Sequence, residues 1–269
     1  MIEVKLNETT FLNFETPVTV ADIIREHKPD ADLFLVDGHT VSPSFIITCD
    51  VDLLRVQKGA VPLEQELEHS RIGRHSEQGH RAMQKGTVGI AGLGGLGSNV
   101  AVALARMGVG RIVGVDYDLV MPSNINRQYY FIEQIGMKKT TALKSTIERI
   151  NPFMKIDLHD IRITESNVKG IFDECDLIIE AFDKEKSKAM LFEAWQKYYP
   201  EKYYIGASGV AGYKDEPPLA IKKMGEHGFM IGDMVSEVAT GHSLMAPRVG
   251  MAAHMQANLA VKFLVELNA

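Results

Sequence analysis

Apolar and polar positions alternate strictly at the start of the chain. Ile2, Val4 and Leu6 are separated by Glu3 and Lys5, which predicts a strand with one buried face. Asn7-Glu8 can turn, and Thr9 to Phe14 continues as a second strand. Thr19 then stands as a cap ahead of a short amphipathic helix through Ile24. Leu33 to Val36, a turn at Asp37-Gly38, and the runs Phe45 to Thr48 and Asp52 to Val56 supply further strands. Residues 61–85 break this pattern with Glu64, Glu66, Glu68, Arg71, Arg74, Glu77 and Arg81, a charged linker or helix whose face is either solvated or functional.

From Val88 the pattern changes to unbroken apolar runs alternating with helical periods. The predicted strands are Val88 to Ala91, Arg111 to Val115, Lys155 to His159, Cys175 through Asp183, and Tyr203 to Ala207. Between them lie the predicted helices Ser98 to Met107, Lys138 to Ile150 (ended by Asn151-Pro152), Thr164 to Phe172 and Lys184 to Tyr198. Leu219 to Met224 and Phe229 to Ile231 can pair as a hairpin, Gly241 to Pro247 is irregular, and Arg248 to Leu267 is one long helix. Alternating buried strands and helices predict a Rossmann-like α/β domain with a parallel sheet. The boundaries this reading implies are a small α+β domain over 1–60, the charged segment 61–85, and the α/β domain over 86–269.

The join between the first strand and helix of that domain is the chemically informative stretch. Gly92, Gly94, Gly95 and Gly97 make a loop that turns sharply, approaches a phosphate closely and packs the helix on its sheet. The free N–H groups at the helix start favour an anion. Asp116 arrives nineteen residues past Gly97, where an acid meets a ribose hydroxyl in such folds. A nucleotide site follows. The next segment, Asp116 to Gln128, is polar and charged; Arg127 offers a bidentate fork for phosphate oxygens and Asn124 a neutral donor. A nicotinamide site has no use for such a clamp, whereas a triphosphate does.

Composition narrows the classes. With 45% hydrophobic and 24% charged residues the chain is an ordinary globular protein, long enough for one α/β domain and a small appendage. A net charge of -6 gives no broad basic face and argues against nucleic acid as a partner. No apolar run reaches the roughly 18 residues of a membrane span, and no signal peptide is read, so a cytoplasmic protein is expected. Two cysteines, Cys49 and Cys175, make neither a disulfide framework nor a four-cysteine zinc site. No structural zinc is expected.

Four ordered motifs carry a resemblance: Gly92 to Gly97, Asp116 to Gln128, Gly136-Met-Lys138-Lys139, and Glu180-Ala-Phe-Asp183. Together they resemble the ThiF/MoeB family of adenylating enzymes, relatives of the ubiquitin-activating enzyme, over about residues 70–269. The resemblance implies ATP with Mg2+ as the bound species. It implies a nucleotide-binding set of Gly92, Gly94, Gly95, Gly97, Asp116, Asp118, Asn124, Arg127 and Lys139, with Lys139 neutralising charge on the α-phosphate and Asp183 holding the magnesium. Asp183 as the cap of the following helix is the structural alternative, Glu180 can support the metal from behind, and Lys138 has an exposed, functionless reading. Arg71-Ile-Gly-Arg74 matches an R-x-x-R that family members place before their first strand, and the family's second arginine reaches the triphosphate of the opposite subunit. Arg74 would then act in trans in a homodimer.

The first 60 residues look like the β-grasp fold of ubiquitin-like sulfur carriers such as ThiS. A working carrier ends in a free Gly-Gly carboxylate; here Lys58-Gly59-Ala60-Val61-Pro62 continues into the chain, so the domain is read as degenerate, or as plain packing. Relatives that carry acceptor thioesters or acyl disulfides use a later cysteine, and none exists between Gly206 and Ala269. The expected reaction is adenylation of the terminal glycine carboxylate of a separate carrier protein, with thiamine, molybdopterin or another sulfur-delivery route as its setting. The alternatives are an NAD-dependent dehydrogenase, an adenylating enzyme of tRNA modification, and a nucleotide-binding regulator.

Overall fold

The computed structural model describes residues 1–7, 10–27, 30–240 and 242–268, with only the backbone of Gly73 and His75. Glu8 and Thr9 of the expected turn and strand, and Gly241, lie outside them. The chain divides into two compact units, Met1–Glu77 and Gln78–Ala269.

In the first unit β1 (Ile2–Leu6) pairs antiparallel with β2 (Thr10–Phe14). A two-residue strand β3 (Val18–Thr19) leads into helix α1 (Val20–Glu26), closed by a reciprocal box in which Asp22 N donates to Thr19 Oγ at 3.2 Å and Thr19 N to Asp22 Oδ2 at 3.4 Å. β4 (Leu33–Val36) and β5 (His39–Val41) form a hairpin across Asp37, whose φ is 48°, and Gly38, whose φ is 81°. β6 (Ile46–Ile47) joins β3 rather than the main sheet, which differs from the expectation of a longer strand there. β7 (Val51–Val56) runs parallel to β1, giving the strand order β2-β1-β7-β4-β5. The inward positions Val4, Leu6, Leu53, Phe34 and Val36 bury against Val20 and Ile23 of α1. Helix α2 (Glu64–His75) follows, its Glu66 accepting from the Asn7 side chain at 3.1 Å.

Helix α3 (Glu77–Lys85) buries His80, Ala82 and Met83, so the latter part of the charged segment is not simply a solvated face. The second unit then alternates β8 (Thr87–Ala91), α4 (Gly95–Met107), β9 (Arg111–Val115), α5 (Lys139–Ile150), β10 (Lys155–His159), α6 (Val168–Phe172), β11 (Leu177–Glu180), α7 (Glu185–Tyr198) and β12 (Tyr203–Ala207). β13 (Ala220–Lys223) and β14 (Gly228–Gly232) form the expected hairpin, and α8 (Ala246–Asn268) closes the chain. α8 begins two residues before Arg248, because Pro247 at its second position has no N–H to lose there.

The sheet order is β10-β9-β8-β11-β12-β14-β13, parallel except for β13. Its central strands β8, β9, β11 and β12 are buried on both faces, while the edge strand β13 is exposed. Val88, Ile90, Ile112, Leu177 and Ile179 pack with α4, α5 and α8, while Val113, Val115 and Ile178 pack with Phe172, Leu191 and Trp195 on the opposite face. Strand order reverses between β8 and β11, which opens a crevice at their carboxyl ends.

Candidate functional site

The crevice is a cleft of about 660 Å³. Gly92 leaves β8 with φ of 95°, and a Cβ there would stand 2.9 Å from the carbonyl oxygen of Ala181 beside β11. A Cβ on Gly97 would fall on the Gly92 carbonyl oxygen itself. Both positions therefore demand glycine for contact, not for flexibility alone. Helix α4 begins at Gly95, three residues earlier than the sequence suggests, with Gly94 as its cap. No side chain caps it and no acid lies in its first turn, so its first N–H groups remain for a ligand anion.

Asp116 is held by two amides: Leu93 N donates to Oδ2 and Asp118 N to Oδ1, each at 2.8 Å. Lys139, only 5% exposed, brings its ammonium 2.8 Å from Asp118 Oδ2 and 3.5 Å from Asp116 Oδ2. Gly136, with φ of 87°, turns the chain so that Met137 and Gly136 bond Val120 at 2.8 Å and Lys139 N bonds Asp118 O at 3.0 Å. The glycine thus delivers the lysine back onto the acids. Burial first, and then the charges of Asp116 and Asp118, push the Tyr130 hydroxyl far above its ordinary range, so it stays neutral and donates to Leu93 O at 2.8 Å. Lys138 is exposed and paired with Asp160.

The segment after β9 is tied to the glycine loop. Asn99 Nδ2 donates to Gly95 O at 2.7 Å and to Arg127 O at 3.1 Å, and Tyr129 N donates to Ser98 Oγ at 2.9 Å. Arg127 lines the cleft, its Nη1 held by Asn126 Oδ1 at 2.8 Å and Ser123 O at 3.2 Å, while its buried Nε has no partner. Asn124 is not brought to the cleft lining: its carboxamide accepts from Met121 N at 2.9 Å and closes a 3-10 turn over Pro122–Asn124. Gln128, buried beside Gly94, does line the cleft and keeps an unpartnered Oε1 there.

Asp183 is exposed on the rim after β11 and lines the cleft. The structure uses Lys184, not Asp183, at the cap position of α7, and no side chain caps that helix. Glu180 is buried instead in a pairing the sequence reading missed. Lys188 Nζ lies 2.9 Å and 3.0 Å from its two oxygens, and Phe182 N donates to Oε1 at 2.6 Å. Its charge is thus matched by Lys188, with none over for a metal. Lys188 stands eight residues on, outside any helical i,i+4 spacing from Glu180, which is why pattern reading gave no sign of it.

Among the described residues no three His, Cys, Asp or Glu side chains group as a metal cage. A magnesium that keeps its waters and phosphate ligands needs only one or two carboxylates, so Asp183 alone fits such an ion. Burial pushes the Cys175 thiol up to about 12, which removes it as a nucleophile. Cys49 is exposed and belongs to the first unit. Arg74 is exposed on α2, also in the first unit. No described helix is long and apolar enough to cross a membrane.

The far side of the cleft, along β12 and β14, was not legible in the sequence. It is lined by Ser208 to Ala211, Met234 to Val238, Ser243 and Leu244, with Glu237 as its carboxylate and Lys188 reaching Ala207 O at its edge. Near it stand an ion pair, Arg248 with Asp233 at 2.6 Å, and a hydrogen-bonded pair, His242 with Glu216 at 2.9 Å.

The ThiF family profile matches residues 68–269, and the chain belongs to that family. It is 31% identical over 139 residues to the adenylyltransferase and sulfurtransferase MOCS3 of Anopheles gambiae, covering 48% of this chain and 32% of that one. It is 30% identical over 118 residues to the sulfur carrier protein adenylyltransferase of Thermus thermophilus, covering 44% of each. The chain therefore spans less than half the length of these relatives. The fold is that of the E. coli tRNA N6-threonylcarbamoyladenosine dehydratase TcdA, solved in complex with ATP, with a TM-score of 0.68 at 19% identity over 77% of this chain and 98% of that one.

Proposed function

We propose that this chain is an ATP-dependent adenylyltransferase that activates the C-terminal glycine carboxylate of a separate, small ubiquitin-like sulfur carrier of the ThiS type. The glycine turn and the free start of α4 receive the phosphates, Asp116 the ribose, Arg127 the β- and γ-phosphates and Lys139 the α-phosphate. Asp183 would hold a magnesium ion, which when bound supplies positive charge to the phosphate oxygens. Arg74 would reach the phosphates of a partner subunit in a homodimer. The carrier's carboxylate oxygen attacks the α-phosphorus, the bond from that phosphorus to the bridging oxygen breaks, and pyrophosphate leaves with the electron pair. The protein's part is position and charge.

The observation that carries this reading is the joint between Lys139, Asp116 and the glycine turn, in one cleft with the largely apolar stretch after β12 and β14. That stretch, with Val210, Ala211, Val235 and Val238 in the lining, suits a slim peptide tail that ends in a carboxylate. The first unit, with its β2-β1-β7-β4-β5 order and single packed helix, is read as a carrier-like β-grasp module whose Gly59 is not a free end. The test is ATP–pyrophosphate exchange against a panel of Gly-Gly carriers and against tRNA. Exchange is expected with a carrier only, and Asp183→Ala is expected to lower it about 10²- to 10³-fold. Exchange with tRNA alone, or an undiminished Asp183→Ala protein, would overturn the assignment.

A further inference from the structure

Asp233 does not line the cleft, yet it organises the wall that does. Its side chain is fully buried, and its oxygens collect four donors. Val235 N and Ser236 N donate to Oδ1 at 2.8 Å and 2.7 Å, while Arg248 Nη2, at 2.6 Å, and the Ser236 hydroxyl donate to Oδ2. Arg248, at the start of α8, also donates to Pro217 O at 2.8 Å. Gly209, at the end of β12 with φ of 70°, lies so close that a Cβ there would fall on Asp233 Oδ1 and stand 2.5 Å from Met234 N. Burial alone would raise the Asp233 pKa; the donors from Ser236, Val235 and Arg248 outweigh it and hold the carboxyl below its ordinary value.

Four pieces of chain therefore meet on one carboxylate: the end of β12, the turn after β14, the segment at Pro217 and the first turn of α8. Met234 sits between them with φ of 65°, a backbone state a β-unbranched side chain occupies only when its surroundings fix it. What this turn presents to the cleft is Met234 to Val238, Glu237 included, in one lining with Val210 and Leu244. A buried ion pair is weak evidence for stability as such, since apolar replacements of like volume often serve as well. Its use here is to fix one shape.

We infer that Asp233 and Arg248 are positioning residues that set the acceptor side of the cleft, and so govern affinity for a small-residue peptide tail rather than for the nucleotide. This rests on the adenylyltransferase reading for the identity of the acceptor. The geometry of the wall does not.

The test compares wild-type protein, Asp233→Asn, and the double variant Asp233→Ala with Arg248→Met, which leaves no unpaired buried charge where the single change unfolds the chain. Three quantities are measured: amide hydrogen exchange at Val235 and Ser236, ATP affinity by calorimetry, and KM and kcat for a Gly-Gly carrier. Loss of the carboxylate is expected to speed exchange at both amides about tenfold or more. Carrier KM is expected to rise about tenfold with kcat and ATP affinity nearly unchanged. A carrier KM that does not move in an active protein, or an ATP affinity that falls by the same factor, overturns the inference. Should the wild type activate no carrier, the adenylyltransferase reading fails by itself. The wall is then judged on exchange and ATP affinity: unchanged exchange sinks it, and faster exchange with ATP affinity intact upholds it.

Discussion

Lys139 is the side chain that the proposed reaction would set against the α-phosphate. Its ammonium is nearly buried, a position costly for a cation unless paired, and two carboxylates share it. A phosphate entering the cleft would compete with Asp118, which is half exposed, more readily than with Asp116, which is fixed by two amides. His242 is a side chain whose charge answers to pH through two partners. Its Nδ1 faces the Glu237 carbonyl oxygen at 2.8 Å and its Nε2 faces Glu216 Oε1 at 2.9 Å, so the protonated ring donates at both ends. The Glu237 carbonyl first, and then Glu216, raise its pKa above the ordinary 6.5. Glu216 moves the other way: burial would raise it, but the bonds from His242 and from its backbone neighbours hold it lower. Because the folded value is raised, this contribution to stability is complete below pH 6.5 and fades as pH climbs through the folded value. An NMR titration of the His242 ring is expected to give a midpoint above 6.5, and Glu216→Gln to bring it down. A midpoint at or below 6.5 in the parent protein would refute the pairing.

At the level of elements, Glu180 and Lys188 join the end of β11 to the second turn of α7, with Lys188 Nζ also donating to Ala207 O of β12 at 2.9 Å. The loop they bracket carries Asp183. Glu180→Gln leaves the Lys188 charge without its counterion, and breaking such a pair costs about 3 kcal/mol or more. Urea unfolding is expected to show that loss, while Glu180→Leu with Lys188→Met costs less; a single variant as stable as the parent would remove the clamp from the account. The strands and helices around this loop were legible because each has a period. Val88, Ile90, Leu177 and Ile179 lie in continuous apolar runs, and the glycines at 92 and 97 mark where two backbones touch. The clamp itself was not legible, since Glu180 and Lys188 are brought together by folding. The same holds for Asp233 and Arg248, fifteen residues apart across a turn and a helix start. Asn124 shows the converse: a motif asparagine whose side chain closes its own turn, as short polar side chains do.

For the whole molecule, the proposed trans action of Arg74 has a consequence that one chain cannot supply. Arg74 belongs to the first unit and Asp183 to the second, and a closed two-fold dimer would pair each Arg74 with the other copy's phosphates. Take Arg74→Ala protein and Asp183→Ala protein, each inactive alone, and let them exchange subunits at equal concentration. About half the dimers formed are mixed, and each of these has one site with both Asp183 and a donated Arg74, so about a quarter of the sites regain function. Carrier-dependent pyrophosphate exchange is expected to recover to that fraction. An arginine acting on its own chain gives a different result, because the subunit that keeps Asp183 then always lacks its arginine and the mixture stays inactive. Sedimentation of the mixture separates the two explanations of a null result: a dimer without recovery places Arg74 in cis or outside the reaction, and a monomer removes the trans arrangement altogether.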